Sequence, residues 1–397
     1  MTLSGPAGFR LSGVHCGVKR NPAKLDLALI VADRPAVAAG VYTQNLVHAA
    51  PVALDRQRTP GDAIRAVVVN SGNANACTGE RGTSDARRMA QLAAEACGAD
   101  EGQVLVLSTG VIGEFLPMDR IEAGISAAAE QLAADATSLE LAARGMMTTD
   151  TVHKLAGRSV AIGGSAVQIT GMAKGAAMIG PRMATMLAVL LTDAAIAPEV
   201  AQQALAGAVD ESFNSISVEG HMSTNDSVLL LASGASGGEP LAGKDLRAFR
   251  DALAEVCVEL ARAIVSDGEG ATHLIVIDVE GCAARCDAHR IASTVANSPL
   301  VKTAITGGDP NWGRIVSAAG YAGVPLDAGR IDLDLNGFTL YRQGAPVAFN
   351  ADEVSDSIRA NRETSIVLRF GEGDARARYW TTDLTAEYVR LNAAYHT

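Results

Sequence analysis

Short apolar runs along this chain alternate with segments whose apolar residues recur every three or four positions. Three such runs end at Gly or Asp turns, as strands buried on both faces do; they span 27–33, 66–72 and 104–110. Between and after them, residues 83–98 and 118–136 have the spacing of helices, one beginning at Thr83 and one just after Pro117. The pattern predicts helices that cover β-sheets.

The alternation continues through the middle of the chain and changes near Asp327. The pattern predicts strands near 158–170, 186–193, 216–232 and 273–281, and helices near 198–212 and 243–265. Beyond Asp327 it predicts short strands in 330–337, 345–350, 364–371 and 375–383, with a helix at 351–361. No low-complexity linker separates these parts, so we expect an α/β fold, a layered sandwich of sheets and helices.

Length and composition favour a large, tightly packed globular protein. At 397 residues the chain exceeds the size at which one core usually stops growing, so it predicts two units or one large layered unit. Hydrophobic residues make up 48% of it but aromatic residues only 4%, which favours close helix–sheet packing over an aromatic-lined binding surface.

Charge and cysteine content exclude several classes of partner. The net charge is -11 and the basic residues are scattered, so nucleic acid and anionic membranes are not expected partners. The first residues lack the features of a signal peptide, and we expect a cytoplasmic protein with reduced thiols. Cys282, Cys286 and His289 lie close in sequence, but no second ligand pair has zinc spacing, so no metal site is predicted.

Two motifs resemble catalytic signatures and fail on their context. Residues 234–238 read G-x-S-x-G, but no helix can begin directly after Ser236, as a nucleophile elbow requires. Residues 238–245 resemble a phosphate-binding loop, but Asp245 stands where Ser or Thr must hold magnesium. A histidine-based triad stays open, since triads assemble in space rather than in sequence.

The segment "KGAAMIGPRMATMLAVLLTDA" (174–194) places one hydroxyl, that of Thr185, at the start of a buried apolar run. A buried threonine is usually structural, because its hydroxyl bonds a nearby carbonyl. Here, however, Pro181 restricts the chain before Thr185, and the strand after it supplies a rigid base. A threonine freed at a new chain start can use its own α-amine, with a pKa of ~7.7–8.0, as the base that activates its hydroxyl.

Blocks along nearly the whole chain, from about residue 8 to 397, resemble the ornithine acetyltransferases, also called bifunctional glutamate N-acetyltransferases of arginine biosynthesis. Besides the segment around Thr185, the similar blocks are "DLALIVAD", "AAGVYTQNLVHAAPV", "VVVNSGNANACTG", "STGVIG", "MTTDT", "STND", "SDGEGATHLI", "NSPLVKTA", "DPNWGRI" and "YVRLNAAYHT". They follow one another in the order the family has.

The resemblance implies an N-terminal-nucleophile-like fold processed into two chains. Self-cleavage between Ala184 and Thr185 would leave an alpha chain, 1–184, and a beta chain, 185–397, which assemble as an alpha2beta2 heterotetramer. Thr185 would then accept an acetyl group from N2-acetylornithine and pass it to glutamate. No cofactor or metal is required for this route, and acetyl-CoA is a possible further acetyl donor.

The resemblance also implies roles for individual residues. Thr109 and Gly110 match the oxyanion-hole pair. The substrate contacts carried over are Thr151, Lys174, Thr185, Glu269, Asn392 and Thr397. Lys174 suits the carboxylate of an amino acid, and Glu269 suits the side-chain ammonium of ornithine.

The chain departs from the family's usual pattern at Ala177, Arg182, His221 and Met222. These residues change bulk and charge near Thr185 and leave two alternatives open. One is a related self-cleaving acyltransferase or amidohydrolase that acts on another acylated amino acid. The other is a non-catalytic, amino-acid-binding protein with the same fold.

Overall fold

Strands and helices alternate along the computed structural model of this protein, which describes residues 3–180 and 186–394. The strands are β1 (Phe9–Val14), β2 (Leu27–Tyr42), β3 (Gly61–Asn73), β4 (Val104–Val111), β5 (Lys154–Ile162), β6 (Ser165–Lys174), β7 (Leu187–Thr192), β8 (Ile216–Ser217), β9 (Ser227–Ala232), β10 (Leu274–Cys282), β11 (Ile331–Leu335), β12 (Phe338–Arg342), β13 (Ala345–Pro346), β14 (Glu363–Phe370) and β15 (Ala375–Thr382). The α-helices are α1 (Ala50–Asp55), α2 (Gly79–Cys97), α3 (Met118–Glu130), α4 (Ala136–Met146), α5 (Pro198–Asp210), α6 (Gly243–Ser266), α7 (Arg285–Ala296), α8 (Pro299–Gly307), α9 (Trp312–Gly320), α10 (Ala351–Ala360) and α11 (Ala386–Ala394). None of the helices in the described residues is long and apolar enough to cross a membrane.

The first sheet has the strand order β4-β3-β2-β9-β7-β6-β5, with β1 added beside β2. Strand β2 pairs with β3 along one edge, and along the other it pairs first with β1 and then with β9. Strand β7 lies between β6 and β9, antiparallel to the first and parallel to the second. Both parts of the chain, before and after residue 185, therefore contribute strands to one sheet.

The second sheet has the order β13-β12-β11-β14-β10-β15-β8. Helix α6 is buried between the two sheets: Phe249, Leu253 and Leu260 belong to one apolar cluster with residues of β6, β7 and β9 and with Trp380 of β15. Helix α4 covers the opposite face of the first sheet, and α7, α9 and α10 cover the far face of the second. This arrangement confirms the predicted layered α/β fold.

The predicted strands and helices were correct where a single element carries the hydrophobic pattern. They were wrong where the pattern continues past the end of a helix or through a turn. The helix predicted at 118–136 ends early, since α3 stops at Glu130. A separate helix, α4, begins at Ala136, where Asp135 accepts a hydrogen bond from Ser138 N at 2.8 Å. Residues 158–170 form part of the β5–β6 hairpin, which turns at two glycines with positive φ, Gly163 and Gly164.

Two further predicted strands proved too long, and several elements were not predicted. The predicted strand 216–232 divides into β8, in the second sheet, and β9, in the first. The strand predicted at 345–350 is limited to Ala345–Pro346. The elements without a sequence prediction include β1, α1, α4, α7, α8, α9 and α11.

Gly13 marks the closest approach between β1 and α4. A Cβ at this position would lie 2.0 Å from the carbonyl oxygen of Leu141. We predict that Gly13→Ala lowers the free energy of unfolding by about 2–3 kcal/mol, because backbone atoms must separate to admit the methyl group. Gly207→Ala is the matched control: Gly207 is an exposed residue of α5 with no atoms within 4 Å of an added Cβ, so this change should raise stability by up to about 1 kcal/mol. Urea unfolding of the two variants measures both effects. Equal changes in the free energy of unfolding would contradict a close contact between Gly13 and Leu141.

Candidate active site

Five of the residues implied by the resemblance line one cavity where β4 and β6 end. They are Thr109, Gly110, Lys174, Glu269 and Asn392. The remaining lining residues are Ala74, Ile112, Thr148, Thr149, Ala177, Met178, Ser223, Thr224 and Asn225. The cavity therefore draws side chains from both parts of the chain, before and after residue 185.

Thr109 and Gly110 lie near the end of strand β4, just before its last residue, Val111. Gly110 has a φ of 136°, and it pairs with Gly72 of the parallel neighbour β3. A Cβ on Gly110 would lie 2.2 Å from the carbonyl carbon of Gly72, so no other residue fits without moving the backbone. The close contact between two glycine backbones thus determines where the Thr109–Gly110 peptide lies.

Lys174, the last residue of β6, connects that strand to the end of β4 through a side-chain hydrogen bond. Its side chain is 2% exposed, and Nζ donates a hydrogen bond to Oγ1 of Thr109 at 3.1 Å. Burial lowers the pKa of Lys174, and the negative charge of Asp150 opposes that shift. Because the ammonium group donates to Thr109, the hydroxyl of Thr109 keeps its own proton for another acceptor.

A network of buried charged side chains stabilises the ammonium group of Lys174. Asp150 accepts hydrogen bonds from Nζ of Lys154 and from the amide of Gly175, both at 2.7 Å. Burial alone would raise the pKa of Asp150, but the charges of Lys174 and Lys154 lower it to about 2. Lys154 also bonds Asp267 at 2.6 Å, so the loop before β5 is connected to the end of α6.

Thr151 lies beside the cavity rather than in it. Its hydroxyl and its amide both donate to the carboxylate of Asp267. Thr151 lines a second cavity, of about 530 Å³, which meets the first at Thr149 and Glu269. The two cavities are therefore adjacent, and we refer to them together as the cleft.

The C-terminal helix α11 closes one side of the cleft. Nδ2 of Asn392 donates to Oε2 of Glu269 at 3.0 Å. Where the chain enters α11, the hydroxyl of Thr385 donates to the carbonyl of Gly270 at 2.7 Å. Helix α11 is therefore attached to the Glu269 loop at both ends, which places Asn392 in the cavity.

Several predicted residues lie outside the described part of the chain: Ala184, Thr185, Thr397 and Arg182. Of the other unusual positions, Ala177 lines the cavity, whereas His221 is exposed and Met222 contributes its carbonyl to a hydrogen bond from Asn45. His289 packs its ring against Tyr379, and its Nε2 lies 3.1 Å from the carbonyl of Asn214. Within 3–180 and 186–394, no three His, Cys, Asp or Glu side chains form a group suited to a metal.

Four polar residues that belong to the site were not singled out in the sequence analysis. Asn225 donates to the carbonyls of Ala74 and Ser108, at 2.6 and 2.8 Å, and so fixes two loops of the cavity wall. The others are Asp150, Lys154 and Asp267. Asp150, Asn225 and Asp267 lie in the blocks "MTTDT", "STND" and "SDGEG". Their polar side chains inside blocks that resemble the family could therefore have indicated them.

The family model described as "ArgJ family" matches residues 10–397 of this chain. The chain belongs to the ArgJ family. It is 47% identical over 395 residues to the arginine biosynthesis bifunctional protein ArgJ of Rhodopirellula baltica, covering 99% of this chain and 96% of the relative. The protein of the same name from Symbiobacterium thermophilum is 48% identical, with 100% and 98% of the two chains covered.

Among solved structures, the chain is similar to a crystal structure of arginine biosynthesis bifunctional protein argJ from Bacillus halodurans. The sequence identity is 38% and the TM-score is 0.51. The match covers 98% of the crystal chain but 52% of this ArgJ-family chain, so the crystal chain corresponds to about half of it.

The ion network makes a prediction about stability and pH. We expect Asp150→Asn to lower the free energy of unfolding by about 2 kcal/mol at pH 7, because two buried ammonium groups lose their carboxylate. The folded-state pKa of Asp150 lies below its usual value of 3.8, so its contribution is complete above pH 4 and is lost as the pH falls toward 2. Urea unfolding of both proteins at pH 7, 5, 4 and 3 measures the difference. A difference that stays constant down to pH 3 would contradict the assignment.

Proposed function

We propose that this ArgJ-family chain transfers an acetyl group from N2-acetylornithine to glutamate, releasing ornithine and forming N-acetylglutamate. It is an acetyltransferase of arginine biosynthesis, as its relatives along nearly the full length are. The observation that carries the mechanism is one cavity that collects Thr109, Gly110, Lys174, Glu269 and Asn392. This cavity combines donors for an oxyanion with a cation and an anion for the two ends of an amino-acid substrate.

The proposed nucleophile is the hydroxyl of Thr185, freed by cleavage of the Ala184–Thr185 bond. The next residue, Met186, is 1% exposed and is held at both backbone groups: its amide donates to Asp226 at 2.9 Å, and its carbonyl accepts from Ser227 N at 3.3 Å. A rigid, buried strand start of this kind supports a nucleophile at the preceding residue.

Acetyl transfer then proceeds in two balanced steps. The α-amine of Thr185 takes the hydroxyl proton as the oxygen attacks the acetyl carbonyl. The tetrahedral intermediate collapses, the C–N bond of acetylornithine breaks, and the resulting ammonium returns the proton to the leaving amine. In the second step the neutral α-amine of glutamate attacks the acetyl ester and forms a new C–N bond. The α-amine of Thr185 takes one proton from the attacking nitrogen and passes it to the threonine oxygen as the acyl C–O bond breaks, which restores the hydroxyl and yields N-acetylglutamate.

Thr109 and Gly110 are the proposed donors to the oxyanion. The hydrogen bond from Lys174 occupies an acceptor site on the Thr109 oxygen and leaves its O–H available. The same bond polarises that O–H, because its acceptor oxygen is in contact with a cation. The glycine backbone contact at Gly110 keeps the second donor in place.

Charged groups at two ends of the cleft support amino-acid recognition. Lys174 is buried and its ammonium group suits a substrate carboxylate, while Glu269, held by Asn392, suits the side-chain ammonium of ornithine. Thr151 contributes through the adjoining cavity next to Glu269. A contact from Thr397 remains part of the proposal.

Cleavage would divide the protein into 1–184 and 185–397 without dividing its fold. Strand β7, from the second part, is hydrogen-bonded to β6 from the first, so both parts stay in one sheet. The half-length match to the Bacillus halodurans crystal chain agrees with such processing. We further propose an alpha2beta2 assembly of the two fragments, which light scattering of the native protein measures.

The proposal extends to acetyl-CoA as a second acetyl donor that forms the same ester at Thr185. The cavity beside the site, with Lys24 and Arg362 on its walls, offers space for a donor larger than an amino acid. Acetylation of glutamate by acetyl-CoA in the absence of acetylornithine tests this extension.

The cleavage and the nucleophile are tested together by Thr185→Ala. Denaturing mass spectrometry of the purified wild-type protein should show two fragments that meet at Ala184–Thr185, and brief exposure to acetylornithine should add one acetyl group to the C-terminal fragment. Thr185→Ala should remain one chain and release no ornithine. Thr192→Ala, a fully buried threonine at the last position of β7, is the control and should be cleaved and active. An intact wild-type chain, or an active Thr185→Ala protein, would disprove the proposal.

The oxyanion donor is tested by two substitutions of Thr109. Thr109→Val keeps the shape and removes the hydroxyl, so kcat/KM for acetylornithine should fall by about 10²–10³. Thr109→Ser keeps the O–H and should retain most of the activity. Steady-state ornithine release measures both, and equal losses in the two variants would indicate packing rather than a donated hydrogen bond.

A further inference from the structure

Asp226 is a buried carboxyl group next to the proposed nucleophile that the mechanism above does not use. It is fully buried at the start of β9, and its Oδ1 accepts the amide hydrogen of Met186 at 2.9 Å. Met186 is covalently joined to Thr185. The carboxylate therefore holds the first peptide group of the chain that cleavage would create.

Within 3–180 and 186–394, the second carboxylate oxygen of Asp226, Oδ2, accepts no hydrogen bond of normal geometry. The hydroxyls of Thr43 and Ser223 face the carboxyl group and act to lower its pKa. The nearby hydroxyl of Thr43 gives its proton to the carbonyl of Ser223 at 2.8 Å. A buried carboxylate oxygen without a donor is unfavourable, so this position calls for a cationic or donor group from outside the described residues.

Self-cleavage would produce such a group. The α-amine of Thr185 appears at the new chain start, one residue before the amide that Asp226 already binds. We propose that Asp226 is the positioning residue and counter-ion of the Thr185 α-ammonium group, which fixes the amine beside its own hydroxyl. This inference rests on the proposed self-cleavage at Thr185.

The charges around Asp226 determine the direction of the effect. Burial raises the pKa of Asp226 to about 7 in the uncut chain. The hydrogen bond from the Met186 amide and the positive charge of Lys174 act in the opposite direction and lower it. The cation that faces Asp226 is Lys174, at the end of β6. Two hydroxyls also face it, that of Ser223 in the loop before β9 and that of Thr43 just after β2. A carboxylate beside the α-ammonium group raises the pKa of that amine, and Lys174 opposes the rise.

Asp226→Asn isolates this role. The amide oxygen of Asn can still accept from Met186, but the negative charge is removed. The pKa of the Thr185 amine should fall, so the free base forms at lower pH. We predict that the acid limb of the pH profile of kcat/KM for acetylornithine moves down by about one pH unit.

Asp55→Asn is the matched control. Asp55 is also fully buried, its Oδ1 accepts from the amide of Val106 at 2.9 Å, and its Oδ2 has no donor among the described residues. It lies in α1 and does not line the cavity. This variant should lose comparable stability and keep the wild-type acid limb.

The measurement uses the full-length proteins after mass spectrometry confirms that each is cleaved. An unchanged acid limb in Asp226→Asn, or an equal shift in Asp55→Asn, would overturn the inference. If Asp226→Asn does not fold or is not cleaved, the amine is titrated in the wild-type enzyme by ¹⁵N NMR after labelling of threonine. A pKa above the ordinary ~7.7–8.0 of an α-amine supports the counter-ion, and a lower one contradicts it. Activity of Thr185→Ala would instead refute the proposed function itself, so the two failures are distinguishable.

Discussion

The buried ammonium group of Lys174 is the interaction on which the site depends. A charge at this depth is costly unless it is paired and hydrogen-bonded, and the surrounding structure provides both. Thr109 accepts its hydrogen bond from one strand end, and Asp150 supplies the opposite charge from the loop before β5. The end of β4, the end of β6 and the 148–151 loop are consequently arranged around one cation.

That cation is itself part of a longer chain of charges. Asp150 is shared with Lys154, and Lys154 is shared with Asp267 at the end of α6. Asp267 also binds Thr151, while its neighbour Glu269 receives the amide of Asn392 from α11. Buried ion pairs thus connect the first sheet to the end of the helix between the sheets, and more exposed hydrogen bonds extend the contacts to Thr151 and to the C-terminal helix. Such networks specify one arrangement because each member left without a partner is unfavourable.

Sheet continuity explains how a protein of this fold can lose a peptide bond and keep its site. Strand β7 is bordered on both sides, by β6 and β9, so its hydrogen bonds persist when the chain before it is cut. A residue released at the start of an internal strand inherits the rigidity of the sheet. The apolar cluster around α6 contains residues from both sheets and from both parts of the chain, before and after residue 185, so the two proposed fragments would depend on each other for a complete core.

The sequence by itself determined the layered α/β class and the family, because these depend on local periodicity and on recognisable blocks. The oxyanion pair and the amino-acid contacts are predictions from the same blocks. It did not reveal that α3 ends at Glu130, or that residues 158–170 turn at Gly163–Gly164, since a helix end or a tight turn interrupts hydrophobic spacing very little. Only the tertiary structure decided that Lys154 pairs with both Asp150 and Asp267, and that Asp226 accepts the amide hydrogen of Met186. The contacts of Lys154 with Asp267 and of Met186 with Asp226 join residues distant in sequence, and the energy of all three depends on burial, which the whole fold decides.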